Sequence, residues 1–395
     1  MTSAPPKPLV VDADLDLERM RRDRHARLVE QMGIQGVDVL LAMGLSTVAY
    51  ATGAVVPAAD AGRAAHRRAI AIVTADGAPP ELFTPYPEGA PPELATEHVH
   101  DALDIEWDDD AATLARSLPA GRLALDDCTM PLRAALDGRE LTDAGTVLTA
   151  AKVIKNSDEI ECIRRAQAIN EAAIADVLPL VRPGVLATDL SGRLLRRLFE
   201  LGASSNTVDP IWQVMDRDAA DRPMSITGDL VFPTPTRPRK LVENDLIWVD
   251  NGVNYCGYQS DYGNSWIVGR EPNAREREHY AVWRALLDRV LAALRPGATC
   301  ADLTAAAGTA FGRRPWLSHL YLAHGTGIES AELPYVGTDL GADFDASFAL
   351  ASGMALVFEP ITWEDGVGGF RAEEIVAVTD DGYELLSHVD SSAWS

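Results

Sequence analysis

The stretch that decides the fold is residues 247–266, IWVDNGVNYCGYQSDYGNSW. Its β-branched and aromatic residues predict two strands joined by a turn. Asp250 and Asp261 interrupt otherwise apolar or neutral company. A carboxylate in a buried strand loses its hydration and costs stability unless something neutralises it. The question the stretch raises is what compensates for two of them.

An internal repeat answers it. RPGVLATDL at 182–190 recurs as RPGATCADL at 295–303, an offset of 113 residues. Each copy follows a helix-patterned segment and opens another. The region after the second copy echoes the hairpin: ASGMALVFEPI sets Glu359 against Asp250 at an offset of 109, and GFRAEEIVAV sets Glu373 against Asp261 at 112. Two helix–helix–hairpin halves packed about a pseudo-twofold axis are expected to bring four carboxylates to one point. Such a cluster repels itself unless protonated or neutralised. Pairing with Arg or Lys is one solution, with Arg371 the nearest cation in sequence, but segments 246–262 and 354–363 contain no Lys or Arg. Divalent cations are the other solution, and two suit four carboxylates better than one. His324, in AHGTGI, is the natural fifth donor beside glycines that admit close backbone approach. An oxygen-rich set with one imidazole favours Mn, with Fe, Co and Zn as alternatives.

Bulk composition narrows the function classes. The chain has 395 residues, 47% apolar and 24% charged, enough for two globular domains. With 35 Lys and Arg against 59 Asp and Glu, the formal charge is -24, which disfavours nucleic acid and anionic membrane as partners. The four cysteines form no CxxC pair, so neither a thiolate zinc site nor a disulfide framework is expected, and a reducing cytoplasm fits. The N-terminus lacks the apolar core of a signal peptide. Residues 39–59 carry no charge, but Gly44, Ser46, Thr47, Thr52, Gly53 and Pro57 break them up. A buried strand, a turn and a short helix are expected there rather than a membrane span.

The first 152 residues alternate helix and strand patterns, as in a small α/β domain. A basic amphipathic helix is expected over 16–34, with strands in VDVLLAM, RRAIAIV, PELFTPY and GRLALDD, and the acidic stretch 101–118 as a connection. His98 and His100, in TEHVH, suit a solvated strand end better than a metal site. From residue 153 the texture changes, and NSDEIECIRRAQAINEAAIADV predicts a long helix capped by Asn156 or Ser157. Residues 153–395 are therefore expected to form the second domain. Trp212, Tyr258, Tyr321, Tyr335 and Trp363 lie near the motif segments and are candidates to line a pocket.

The order Asp250, Asp261, His324 in HGTGI, Glu359 in FEP and Glu373 in RAEE resembles the pita-bread metallopeptidase family, which includes Xaa-Pro aminopeptidase, Xaa-Pro dipeptidase, methionine aminopeptidase and the metal-free creatinase. GVDVLLAMGLSTVAYATG resembles that family's creatinase-like N-terminal domain, and KVIKNSDEIECIRRAQAI its interdomain helix. The resemblance implies an α+β catalytic domain with pseudo-twofold symmetry, preceded by a smaller α/β domain, in a homodimer. It implies two divalent cations bridged by Asp261 and Glu373, with Asp250 on one ion and His324 and Glu359 on the other. A bridging hydroxide would then attack a peptide or small amide-like C–N bond, with Glu359 moving its proton. Xaa-Pro peptidases carry helper histidines at two positions where this chain has Pro233 and Ala331; His319, five residues before His324, is a candidate substitute. Their loss points to a small or unusual substrate. Two alternatives stay open. One is a non-peptidase member of the fold: a dimethylsulfoniopropionate lyase-like enzyme, which would want a further aspartate where this chain has Gly252, or an ectoine-hydrolase- or creatinase-like small-molecule C–N hydrolase. The other is a non-catalytic binding protein that keeps the metals.

Overall fold

The structure is a computed structural model that describes residues 15–55, 67–215, 217, 236–316, 321–337, 340–388 and 394. Residues 15–152 and residues 153–395 form separate compact units.

The first unit is a six-stranded sheet with helices. In chain order it comprises α1 (Leu17–Gln35), β1 (Val39–Ala42), α2 (Leu45–Thr52), β2 (Ile70–Thr74), β3 (Glu81–Thr84), β4 (Val99–Asp101), α3 (Asp108–Ser117), β5 (Leu123–Leu125), α4 (Met130–Ala135), β6 (Leu141–Asp143) and α5 (Gly145–Lys152). The sheet order is β4-β3-β2-β1-β5-β6. The described part of the uncharged run 39–59 forms β1 and α2, the strand and short helix expected of it. No helix among the described residues is long and apolar enough to cross a membrane. One expectation fails: residues 108–117 of the acidic stretch form α3 rather than a connection. Asp108, Asp109 and Asp110 occupy its first turn, where the helix dipole favours negative charge. Ala111, Leu114 and Leu118 make the apolar stripe beneath that charge. His98 and His100 share one carboxylate, with Nδ1 of His98 3.0 Å from Glu81 Oε1 and Nε2 of His100 2.6 Å from Glu81 Oε2.

The second unit holds the repeat. Its first half comprises α6 (Ser157–Val177), α7 (Ala187–Leu201), β7 (Ser205–Val214), β8 (Leu246–Tyr255), β9 (Tyr258–Gln259) and β10 (Tyr262–Ile267). Its second half comprises α8 (Ala274–Ala293), α9 (Cys300–Ala307), β11 (Ala323–Gly325), β12 (Glu332–Val336), α10 (Ala342–Ser347), β13 (Ala355–Phe358), β14 (Ile361–Glu364), β15 (Gly368–Arg371), β16 (Glu374–Val378) and β17 (Tyr383–Leu385). Both long helices open with a capping box: Asn156 with Glu159 on α6, and Asn273 with Glu276 on α8.

Hydrogen bonds follow the repeat at offsets of 113 and 109, and of 110 beyond the hairpin turn. The Gly184 amide donates to the Leu241 carbonyl and that of Gly297 to the Leu350 carbonyl, both at 2.8 Å. The Leu241 amide returns to Val185 at 2.8 Å, and that of Leu350 to Ala298 at 2.7 Å. Past the carboxylate strands, Val268 donates to Asp245 at 2.9 Å and Val378 to Met354 at 2.8 Å. The RPG turns therefore dock onto the strand entries in the same way in both halves. A core including Trp248, Trp283, Leu287, Leu303, Leu356, Phe358 and Phe370 fills the space beneath.

Candidate metal centre

Each half contributes one hairpin. The first pairs β8 with β9 and β10 in one register, from Leu246 opposite Ile267 to Tyr255 opposite Tyr258. The second pairs β13 with β16 and β14 with β15 in one register, from Ala355 opposite Ala377 to Glu364 opposite Gly368. Alternation then fixes the faces. On the first hairpin the site face carries Asp250 opposite Gly263, with Asp261 two pairs nearer the turn. On the second it carries Glu359 and Glu373 facing each other, with Arg371 two pairs nearer the turn opposite Ile361.

This register revises the repeat. The counterpart of Asp261 is Arg371, and the counterpart of Glu373 is Gly263. The offset of 112 that joined Asp261 to Glu373 is two residues longer than the 110 of the register, which preserves the face but not the position. Gly263 and Glu373 also touch, as positions beside a twofold axis do: the Glu373 amide donates to the Gly263 carbonyl at 3.0 Å. A Cβ at Gly263 would lie 2.5 Å from the Glu373 carboxyl carbon. The missing side chain leaves room for Glu373.

The structure brings the five expected residues together, all buried. One carboxylate oxygen each from Asp250, Asp261 and Glu373 lies within 4.8 Å of the others. His324 Nε2 is 3.5 Å from Asp261 Oδ2 and 3.6 Å from Glu359 Oε1. His324 Nδ1 lies 2.9 Å from the Gly325 carbonyl, which can only accept, so Nδ1 carries a proton and Nε2 is aimed at the carboxylates. Its neighbour strand differs between the halves: His324 on β11 sits opposite Val357, while the equivalent place on β7, opposite Trp248, holds Gln213.

Arg371 is the residue the sequence undervalued. Its guanidinium is buried 3.8 Å from the centre of the Trp248 ring. It donates to Glu359 Oε2 and lies 3.5 Å from Glu373 Oε1. Pairing with arginine, weighed against metal from the sequence, therefore does occur at Glu359. One guanidinium does not balance four carboxylates. Burial, then the charge of Asp261, pushes the Asp250 carboxyl well above its ordinary value. Burial followed by Asp261 and Asp250 does the same to Glu373. Burial alone lowers His324, but the adjacent Asp261 and Glu359 outweigh it and raise it to about 9. Glu373 Oε2 is buried with no hydrogen-bond partner. A surplus of converging anionic oxygens, one left orphaned, and an imidazole nitrogen aimed among them form a donor set that fits divalent cations.

Of the five candidate pocket aromatics, two lie at the site. Tyr321 meets the His324 ring edge-on at 5.5 Å between centroids and stacks on Tyr335 at 5.0 Å. Trp212, Tyr258 and Trp363 are buried in packing, with the Tyr258 hydroxyl on Glu159 at 2.5 Å. The Tyr335 hydroxyl donates to the carbonyl of Ala331 at 3.2 Å. His319 and Pro233 lie outside the described residues.

Known proteins share this architecture. The prolidase from Pyrococcus horikoshii OT3 superposes with a TM-score of 0.72 over 93% of this chain and 99% of its own, at 21% identity. The Xaa-Pro dipeptidase from Bacillus anthracis does so with a TM-score of 0.71, covering 94% of this chain and 98% of its own at 20% identity. The α+β pita-bread fold is thereby shared. In sequence, the Xaa-Pro dipeptidase of Pyrococcus furiosus is 26% identical over 255 residues, 64% of this chain and 68% of that protein. An uncharacterised peptidase of Staphylococcus aureus (strain bovine RF122 / ET3-1) is 26% identical over 250 residues, which span 63% of this chain and 66% of that relative's length. Residues 161–380 match the model of metallopeptidase family M24, and the chain belongs to that family.

Proposed function

We propose that the chain is a metal-dependent hydrolase of a peptide or small amide-like C–N bond. The observation that carries this reading is the convergence of one oxygen each from Asp250, Asp261 and Glu373 within 4.8 Å, together with the orphaned Oε2 of Glu373. Asp250, Asp261, His324, Glu359 and Glu373 would hold two divalent cations, manganese first. Bound there, the cations would polarise the scissile carbonyl and acidify water.

The chain's own groups do the rest. Arg371 fixes Oε2 of Glu359, which leaves Oε1 beside His324 Nε2 as the base that takes a proton from the attacking water and returns it to the leaving nitrogen. The Gly325 carbonyl keeps the His324 ring in one orientation. Tyr321 and Tyr335 offer an aromatic wall next to that ring. With alanine at 331, the wall replaces the imidazole expected of an Xaa-Pro peptidase, which favours a compact substrate. A lyase-like variant with a further carboxylate at 252 has less support: a Cβ at Gly252 would lie 2.5 Å from Thr207 Oγ1 and 3.1 Å from the Val208 amide nitrogen.

The test is metal content and substrate scope together. Untagged protein, loaded with Mn(II), Co(II) or Zn(II) and dialysed, is expected to retain about two ions per chain. It is expected to hydrolyse Xaa-Pro dipeptides or members of a small-amide panel, with activity lost to a chelator. Retention of no ion under any loading would overturn the metal reading. Two ions without hydrolysis of any panel member would overturn the hydrolase reading and return the lyase and binding-protein alternatives.

A further inference from the structure

Each hairpin is braced from behind by a side chain of the long helix that opens its half. Asn170 on α6 donates through Nδ2 to the carbonyl of Asn251 at 2.7 Å and to Ser260 Oγ at 3.0 Å. Its Oδ1 accepts from Asn251 Nδ2 at 2.7 Å. Trp283 on α8 donates through Nε1 to the carbonyl of Pro360 at 2.7 Å. Asn170 and Trp283 are counterparts at the offset of 113, and Asn251 and Pro360 are counterparts at 109, so the same bond is made twice by different chemistry. Asn251 directly follows Asp250, and Pro360 directly follows Glu359.

Each brace stands beside a gap between named strands of its hairpin. Ser260 and Asp261 fall between β9 and β10, and there the Val253 amide donates to the Ser260 hydroxyl at 3.1 Å. Glu359 and Pro360 fall between β13 and β14, and proline has no amide hydrogen to give a ladder. Backbone bonds also hold these points, with the Ser260 amide donating to Val253 at 2.8 Å and that of Glu359 to Leu322 at 3.0 Å, and the helix side chains add to them from the other side. The carbonyl of the next residue lies in the peptide plane one Cα beyond the carboxylate, so holding it limits how far that stretch of strand can shift, and through the strand it limits where the carboxylate is carried.

We propose that Asn170 and Trp283 are matched positioning residues, which aim Asp250 and Glu359 at a common point by holding the carbonyls of Asn251 and Pro360. The consequence for metal rests on the reading of the site above; the consequence for the backbone does not. Groups of this kind, one step removed from the ligands, typically change metal affinity by about 10–100-fold.

Asn170→Ala and Trp283→Phe are compared with wild type, with Trp363→Phe as the control. Trp363 is also buried, but its Nε1 has no hydrogen-bond partner, so the control removes the same indole without removing a bond. Co(II) affinity and its visible absorption are measured by titration, and amide hydrogen exchange is followed in the metal-free proteins. Asn170→Ala and Trp283→Phe are each expected to weaken Co(II) binding about tenfold or more and to shift its absorption. In the metal-free state Asn170→Ala speeds exchange in peptides from 246–262, and Trp283→Phe in peptides from 355–373, each sparing the other hairpin. The control is expected to leave both readouts at wild-type values. Wild-type Co(II) affinity in both variants, or exchange that rises equally in both hairpins, overturns the proposal. Should the wild type bind no metal, the metal reading falls by itself, and the hairpin-selective exchange alone decides the brace.

Discussion

The two hairpins of residues 153–395 have one backbone plan and different charge. The first shows Asp250, Asp261 and two glycines to the site; the second shows Glu359, Glu373, Arg371 and Ile361. The first therefore brings only anions and gaps, and the second brings anions with their own cation. A duplicated frame has been filled unequally: the space left empty at Gly263 receives Glu373, and Arg371 on the second hairpin stacks on Trp248 of the first. Neither hairpin makes a site alone, since each supplies what the other lacks.

Four changes break or sharpen that contrast. The largest effect is expected from Asp261→Ala, which removes the carboxylate next to Asp250, Glu373 and His324 alike. Metal retention measured after dialysis falls below one ion per chain, and hydrolysis drops by about 10³-fold or more, since the reaction then lacks its activated water. Next is Arg371→Met, which strips the second hairpin of its cation. Taking one partner from a buried pair costs about 3–5 kcal/mol. Denaturant unfolding in chelator is expected to show that loss, and unfolding with saturating Mn(II) a smaller one. An equal loss in both conditions would mean that the guanidinium and the metal do not share the same carboxylates. Third is Gly263→Ala, whose new methyl group meets Glu373; Co(II) affinity is expected to fall about tenfold while the folded fraction at 25 °C stays near wild type. The smallest effect concerns the turns. Cys256 and Gly257, the two-residue loop of the first hairpin, both have positive φ, at 50° and 90°. That is the geometry of a type I′ turn, which favours Asn over Cys at its first position. Cys256→Asn is expected to raise unfolding stability by about 0.5 kcal/mol and to leave metal affinity unchanged.

Much of this arrangement was legible in the sequence. The RPG repeat located both helix starts, and the order of Asp250, Asp261, His324, Glu359 and Glu373 predicted which side chains would meet. The pairing within the second hairpin was not legible. A sequence offset counts residues along the chain, whereas register counts them from the turn, and the two turns differ in length: Cys256–Gly257 in one, residues 365–367 in the other. Asp261 therefore aligned with Glu373 in number, while in space it aligns with Arg371. The same limit hid Arg371, which the alternation of its own strand turns inward only once that register is known. Helix α3 was hidden for a different reason. Its run of aspartates reads as solvated connection, and the apolar spacing of Ala111, Leu114 and Leu118 beneath it is too short to outweigh that charge by pattern alone. Asn170 and Trp283 left no signal of their own, because a buried amide and a buried indole are ordinary core residues until their carbonyl partners are seen.

Arg371 gives the centre a counter-ion that cannot diffuse away. A bound soluble cation would come and go with its concentration in the surroundings, whereas the Arg371 guanidinium, part of β15 and held against Trp248, belongs to the chain. With metal bound, the charge of the pocket would be divided into a permanent share written into the chain and an exchangeable share lent by the medium. A pocket so divided would keep its shape when emptied, so that refilling it would require ions alone and no refolding.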